Sequence, residues 1–265
     1  MVVKLLLSRD FLKEYLKLHI KTAMEYKFNF VMQVIFMIIN NAAFAVFWVV
    51  LFSHINEING WVLSDFLASF SLAAICFGLC SFFLGNWREL NEIISDGKLD
   101  FYMVLPKDVL AHALVSKSFF SSVGDIIFGV ILFFIAVPFT LINILYLVLF
   151  SIGGALIMAS LAVIMNSASF WIGRSEQTSY AFLNLILSLS SYPSVLYGSF
   201  IKTVFFFVVP IFFINNASIF ILQEFSWYWL GSFIFVSLFM PLVAYVVFKI
   251  GLRKYESGNL VIART

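Results

Sequence analysis

Residues 28–52 read FNFVMQVIFMIINNAAFAVFWVVLF, 25 positions without one charged side chain. The hydrocarbon core of a bilayer takes about 20 mostly apolar residues per helix, so Phe28 to Phe52 is long enough to cross it. Five more runs of this kind follow: Phe66–Asn86, Ala113–Val137, Leu141–Phe170, Thr178–Tyr197 and Tyr228–Phe248. Composition agrees. Of 265 residues 63% are apolar and 11% charged, with a mean hydropathy of +1.04, whereas a soluble domain is about half apolar and about a quarter charged. A chain of this size has too little interior to hide so much apolar surface, which excludes a water-soluble enzyme of ordinary design. The expected fold class is all-α integral membrane, with six transmembrane helices in a single domain over residues 28–265.

Two segments do not cross. Ser199–Phe225 is apolar but broken by Pro210 and by the pair Asn215–Asn216. Each arm has about ten residues, enough to dip into a membrane and return but not to span it. It reads as a re-entrant helical hairpin on the outer side, with the Asn pair at or near its turn; a seventh or eighth full crossing is the alternative. At the other end of the chain, residues 1–27 mix charge with Leu throughout, unlike a cleavable signal. Asp10, Lys13, Glu14, Lys17 and Lys21 share one helical face, and Leu12, Leu16, Ile20 and Ala23 another. Such a helix lies along the membrane surface, although a plain basic anchor would sit in the same place.

Lys and Arg set the orientation, because cytoplasmic loops collect them. With the N-terminus inside, 15 of the 16 fall on the inner side and only Lys202 outside. Both termini are therefore expected in the cytoplasm. The net charge of +2 is too mild to imply nucleic acid. Cys76 and Cys80 lie four apart within one apolar run, where they cannot close a disulfide, and read as small residues of a helix interface.

Soluble catalytic machinery is missing. No GxxxxGK[ST] loop is present to cradle ATP phosphates, and no HExxH or GxSxG motif appears. His19, His54 and His112 lie far apart and close to membrane borders. Inside the expected spans the only ionisable groups are Lys117 and Asp125. An intramembrane carboxylate costs about 2.5–3.5 kcal/mol on insertion scales and usually faces a protein interior or a watery path. Asp125 thus either lines a transport pathway or bonds to a neighbouring helix. Asn184 and Pro210, polar or helix-breaking positions in the fifth span and the hairpin, are further candidate pathway residues. The inner segment Trp87–Pro106 is more telling. Trp87 to Asp96 reads as a short amphipathic helix with Ile93 and Ile94 on its apolar side, stopped by Gly97. The apolar run Leu99–Leu105 follows. So many large apolar groups outside the spans suggest a surface docked on another protein; a helix lying flat on lipid is the alternative.

The stretch Asp96–Asp108, DGKLDFYMVLPKD, resembles the inner-loop signature of bacterial type-2 ATP-binding-cassette (ABC) exporter permeases. In one subgroup the stretch after the fifth span is similar to Tyr192–Pro210, and the ending after the last span is similar to Gly251–Ser257, GLRKYES. The resemblance implies a permease subunit in the bacterial cytoplasmic membrane that binds no cofactor itself, with ATP and Mg held by a separate ATPase subunit. It also implies a second permease, of the same or a paralogous chain. Carried over, the coupling segment is Trp87–Pro106, with Trp87, Arg88, Glu89, Ile93, Ile94, Gly97, Leu99, Asp100 and Pro106 at the ATPase contact. Arg174 and Glu176, in the next inner turn, form a secondary contact.

Rocking of two permease halves needs close helix packing, for which the fourth span offers Ser151, Ala155 and Ala159 at four-residue steps. A pathway lined by apolar side chains suits a hydrophobic or amphipathic substrate. A stand-alone secondary transporter or channel is the competing reading, and an intramembrane enzyme a more distant one for want of catalytic pairs.

Overall fold

The computed structural model describes residues 9–172, 194–207 and 209–256, with Tyr180, Ala181, Asn184, Leu185, Ser188 and Tyr192 between them. Among these the regular structure is helical, with one isolated bridge, Ile58 to Trp61. The helices are α1 (Arg9–Glu25), α2 (Lys27–Phe52), α3 (Leu63–Phe83), α4 (Leu90–Ser95), α5 (Leu99–Met103), α6 (Val109–Val115) and α7 (Ser122–Ala136). They continue with α8 (Leu141–Ser167), α9 (Ser169–Ile172), α10 (Ser199–Phe207), α11 (Ser218–Gln223) and α12 (Trp227–Leu252). Four are long and apolar enough to cross a membrane: α2, α3, α8 with α9, and α12. These match the expected first, second, fourth and last spans. The fifth span falls mostly outside the described residues.

The helices pack in the order α2, α7, α3, α8, α12. Small residues set the spacing, as membrane packing favours. A Cβ at Gly129 of α7 would meet Ile75 at 2.5 Å and the Ser71 carbonyl at 2.8 Å on α3. On the other side of α3, Cys76 Sγ lies 3.6 Å from the Ser151 carbonyl, and Cys80 Sγ lies 3.1 Å from that of Ala155. The two cysteines and the small-residue face of the fourth span are thus one interface. α3 and α8 are central, whereas α2 and α12 turn exposed faces outward, including Phe36, Ile39, Phe47, Phe235, Leu238 and Leu242. Lipid, or a second copy, covers such faces in a membrane protein.

The expected third span is not one helix. α6 ends at Val115, the chain leaves helical geometry, and α7 starts at Ser122. At about 1.5 Å per residue, the 15 residues of α7 fall short of a bilayer core. Polar side chains and diverted backbone bonds explain the break. The Ser116 hydroxyl donates to the Ala113 carbonyl. The Lys117 carbonyl accepts from Gly85 N–H at 3.0 Å, and Phe119 N–H donates to the Ser81 carbonyl at 3.0 Å. The backbone at 117–119 is therefore tied to the end of α3 instead of to its own helix.

The segment expected as a hairpin also differs in detail. α10 ends near Pro210, and a π-helical turn, Phe213–Ala217, leads into α11. The chain turns at Pro210 and not at the Asn pair, because proline lacks an N–H and disfavours helix at the residue before it. Asn215 and Asn216 are buried within the second arm, where the Asn215 carbonyl accepts from Ser69 Oγ at 3.2 Å. Phe212 and Phe220 pack on Trp229 at the start of α12, and Phe220 also meets Trp61.

Candidate coupling surface and intramembrane polar pair

Residues 84–121 stand at the end of the bundle where Arg88, Lys98, Lys107, Lys117 and Lys249 gather, here called the basic end. The segment is bolted to every neighbour. A 3-10 turn, Gly85–Trp87, continues α3. Within it Asn86 Nδ2 donates to the Ala113 carbonyl at 2.7 Å and to Ser116 Oγ at 2.8 Å. Asn166 Nδ2 of α8 reaches the Trp87 carbonyl at 2.8 Å. Lys117 Nζ meets both oxygens of Glu89, at 2.6 and 2.8 Å. This pair is half exposed, so its share of stability is about 1 kcal/mol at most.

The apolar side of α4 is spent internally. Trp87, Leu90, Ile93, Ile94 and Leu99 are all buried within the chain's own core. This corrects the expectation that Ile93 and Ile94 face another protein: α4 is too short to hold itself and is stabilised by packing on α8 and α6. Gly97 takes φ +73° after α4, the left-handed stop expected there. Beyond it the exposed apolar groups are Phe101, Met103 and Val104, at 63%, 48% and 81%. With exposed Pro106 and Lys107 they form an apolar tip at the basic end.

Asp108 anchors that tip. Its Oδ1 accepts from Ala111 N–H at 3.1 Å, capping α6. Its Oδ2 accepts from the Tyr245 hydroxyl at 2.9 Å and meets Lys249 Nζ at 3.0 Å, both on α12. Burial works against ionisation of Asp108, but the Ala111 N–H, Lys249 and Tyr245 outweigh it and hold the carboxyl below its ordinary value. Farther along, burial and the neighbouring Asp100 raise the Tyr255 hydroxyl. The inner segment is thus tied to α12 through Asp108.

α1 docks on the same segment with Tyr15, His19 and Ala23 facing the chain, while Leu18 and Met24 stay exposed. The Tyr15 hydroxyl and His112 Nε2 are hydrogen-bonded at 2.6 Å. Burial, then Lys107, lowers His112. A His held below its ordinary value, about 6.5, stabilises the fold above that pH, and the contribution is lost as pH falls through the lower folded value. Acidification from about pH 7 to 5 is therefore expected to lower the melting temperature of the detergent-solubilised chain. His112→Gln should flatten that slope; an unchanged slope would mean that another group titrates.

Inside the bundle, Asn41 Nδ2 of α2 donates to Asp125 Oδ1 of α7 at 2.6 Å. Asp125 is 3% exposed, and its Oδ2 has no partner among the described residues. It sits in the contact between α2 and α7. Asn184 Oδ1 accepts from Arg88 Nη2 at 3.2 Å, joining Asn184 to the start of the inner segment. Pro210 is buried near the opposite end, so the three candidate pathway residues do not converge. Arg174 and Glu176 lie outside the described residues.

The family described as ABC-2 family transporter protein matches residues 35–258, well over half the chain. The chain belongs to that family. No curated protein and no solved structure matches it. As an ABC-2 family member it is a multi-pass membrane transport subunit of a kind that normally works with an ATPase subunit and is generally not itself catalytic. The inner segment 84–121 and the Asn41–Asp125 pair lie wholly within the residues matched by this ABC-2 family, and α1 lies ahead of them.

Several of the residues that build the site escaped the reading of the sequence. Asp108 directly precedes the apolar run Val109–Val115, which is a helix-cap signal and could have revealed it. Lys249 carried only the generic weight of a basic membrane end, and no local pattern links it to position 108. Asn41 is one of two adjacent asparagines in a span, and only the fold says which of them meets Asp125.

Proposed function

We propose that this chain is the permease subunit of an ATP-driven exporter, working with a separate ATPase subunit at the basic end. The observation that carries the reading is the exposed tip Phe101, Met103, Val104 on a segment bonded to α3, α8 and α12. An apolar tip on a rigid mount transmits a push, whereas a solvated loop would absorb it. In this reading the basic end is cytoplasmic, both termini lie there, and the tip seats in a groove of the ATPase. ATP and Mg stay on that subunit. Two permeases, identical or paralogous, enclose a pathway for a hydrophobic or amphipathic substrate, and residues 199–225 dip into the outer leaflet and return.

The test is co-purification of the tagged chain from its own cells in mild detergent. A nucleotide-binding subunit should accompany the native chain. Val104→Asp and Phe101→Asp, both on exposed positions, should reduce its recovery at least tenfold while leaving the permease folded, as central apolar anchors do at interfaces (about 2 kcal/mol or more each). Equal recovery with either variant would move the contact elsewhere.

A further inference from the structure

A cavity of about 480 Å³ lies at the basic end, between α2, α3, the start of α7 and Tyr180. That is well within the range of small-molecule sites, about 300–1,000 Å³. Met37, Phe77, Phe119 and Tyr180 form its apolar walls, and Ser81, Ser121 and Ser122 supply hydroxyls. Arg88 also lines it. The guanidinium lies 6.0 Å from the Phe77 ring and 5.7 Å from the Tyr180 ring, and gives one hydrogen bond to Asn184.

The charge balance of this cavity is uneven. Glu89, the neighbouring acid, is fully engaged by Lys117 through both oxygens. Glu92 is exposed at the edge of the cavity. Among the described residues no carboxylate lies within ion-pair distance of Arg88. A guanidinium has five N–H donors in a planar fork that matches phosphate or carboxylate, and here one is used by a neutral amide. Aromatic faces on two sides hold the group in place, so it loses little freedom on binding an anion. The Ser81 and Ser121 hydroxyls can donate to the same anion, whereas that of Ser122 already donates to the Phe119 carbonyl.

We infer that this cavity binds the phosphate of an amphipathic molecule, a phospholipid of the adjoining leaflet, with Arg88 as the anion ligand and Phe77, Phe119 and Met37 against the start of its acyl part. Arg88 and Glu89 open the inner segment, so the occupant braces the joint between α3 and the apolar tip. The site needs no ATPase and no transport, and its failure would leave the proposed function standing.

The experiment is native mass spectrometry of the full-length, delipidated chain, with phosphatidylglycerol, diacylglycerol and inorganic phosphate as separate probes. One phosphatidylglycerol per chain is expected to be retained, with diacylglycerol at least tenfold weaker. Arg88→Gln should weaken phosphatidylglycerol at least tenfold, and Arg88→Lys by less, since the charge stays and the fork is lost. Ser121→Phe, which fills the cavity with Arg88 intact, should also expel the lipid and serves if the arginine variants do not fold. Three results would overturn the inference: equal retention by native and Arg88→Gln chains, diacylglycerol binding as tightly, or inorganic phosphate binding as tightly as the lipid, which would make the occupant a free anion.

Discussion

Asp108→Asn is expected to loosen the inner segment from α12 and to lower stability by about 2–3 kcal/mol. One carboxylate holds three partners on two elements: the Ala111 N–H at the start of α6, the Tyr245 hydroxyl and the Lys249 ammonium. Its side chain is 5% exposed, while that of Lys249 is 37% exposed. The charge pair alone is therefore screened and worth little, and most of the effect comes from the cap and from the bond to Tyr245. An asparagine keeps one acceptor but loses the charge that strengthens all three bonds. Thermal unfolding of the detergent-solubilised chain should show the loss. Because the folded carboxyl titrates below about 3.9, its value in an unfolded chain, this contribution persists above that pH and disappears only as pH falls through the lower folded value. Lys249→Met should cost less than Asp108→Asn. Equal melting of the Asp108→Asn and native chains would mean that the other ties of the segment, those of Asn86 and Asn166 among them, hold the tip.

Membrane character, the long helices and the left-handed stop at Gly97 were legible because each rests on local composition or on one backbone preference. What stayed hidden depends on distant residues. The run Ala113–Val137 has the hydropathy of a span, yet Gly85 N–H and the Ser81 carbonyl, both more than 30 positions away, capture the backbone at Lys117 and Phe119. Nothing local announces that competition. Ile93 and Ile94 showed an apolar face, but a face does not say whether it meets its own chain or another. The core of α8 settles it for these two. Phe101, Met103 and Val104, which lay in the same apolar run, are the ones left uncovered. Proline at 210 carries the turn that the two asparagines were expected to make, since a missing N–H interrupts a helix more strongly than a polar side chain that can find partners.

Asn41→Val is expected to be more damaging than Asp125→Val, although each removes one half of the same bond. Asn41 gives Asp125 its one hydrogen bond among the described residues, at 2.6 Å, and both are buried between α2 and α7. Without the amide, a buried carboxyl group is left with no partner, at a cost of about 2–4 kcal/mol. Without the carboxyl group, a neutral amide is left, which costs less and can bond along its own helix. Replacing both by valine removes the polar groups together and should restore stability to within about 1 kcal/mol of the native chain. The close backbone approach at Gly124, whose Cβ would come within 2.6 Å of the Val34 carbonyl, keeps α2 against α7 in every variant. Unfolding in mixed detergent would give the cycle. If the pair instead served transport, Asp125→Asn would abolish export while stability held; the burial of Asp125 in a helix contact predicts that export continues. Additive losses in the double variant would show that the two side chains do not act as a pair, and would return Asp125 to the pathway.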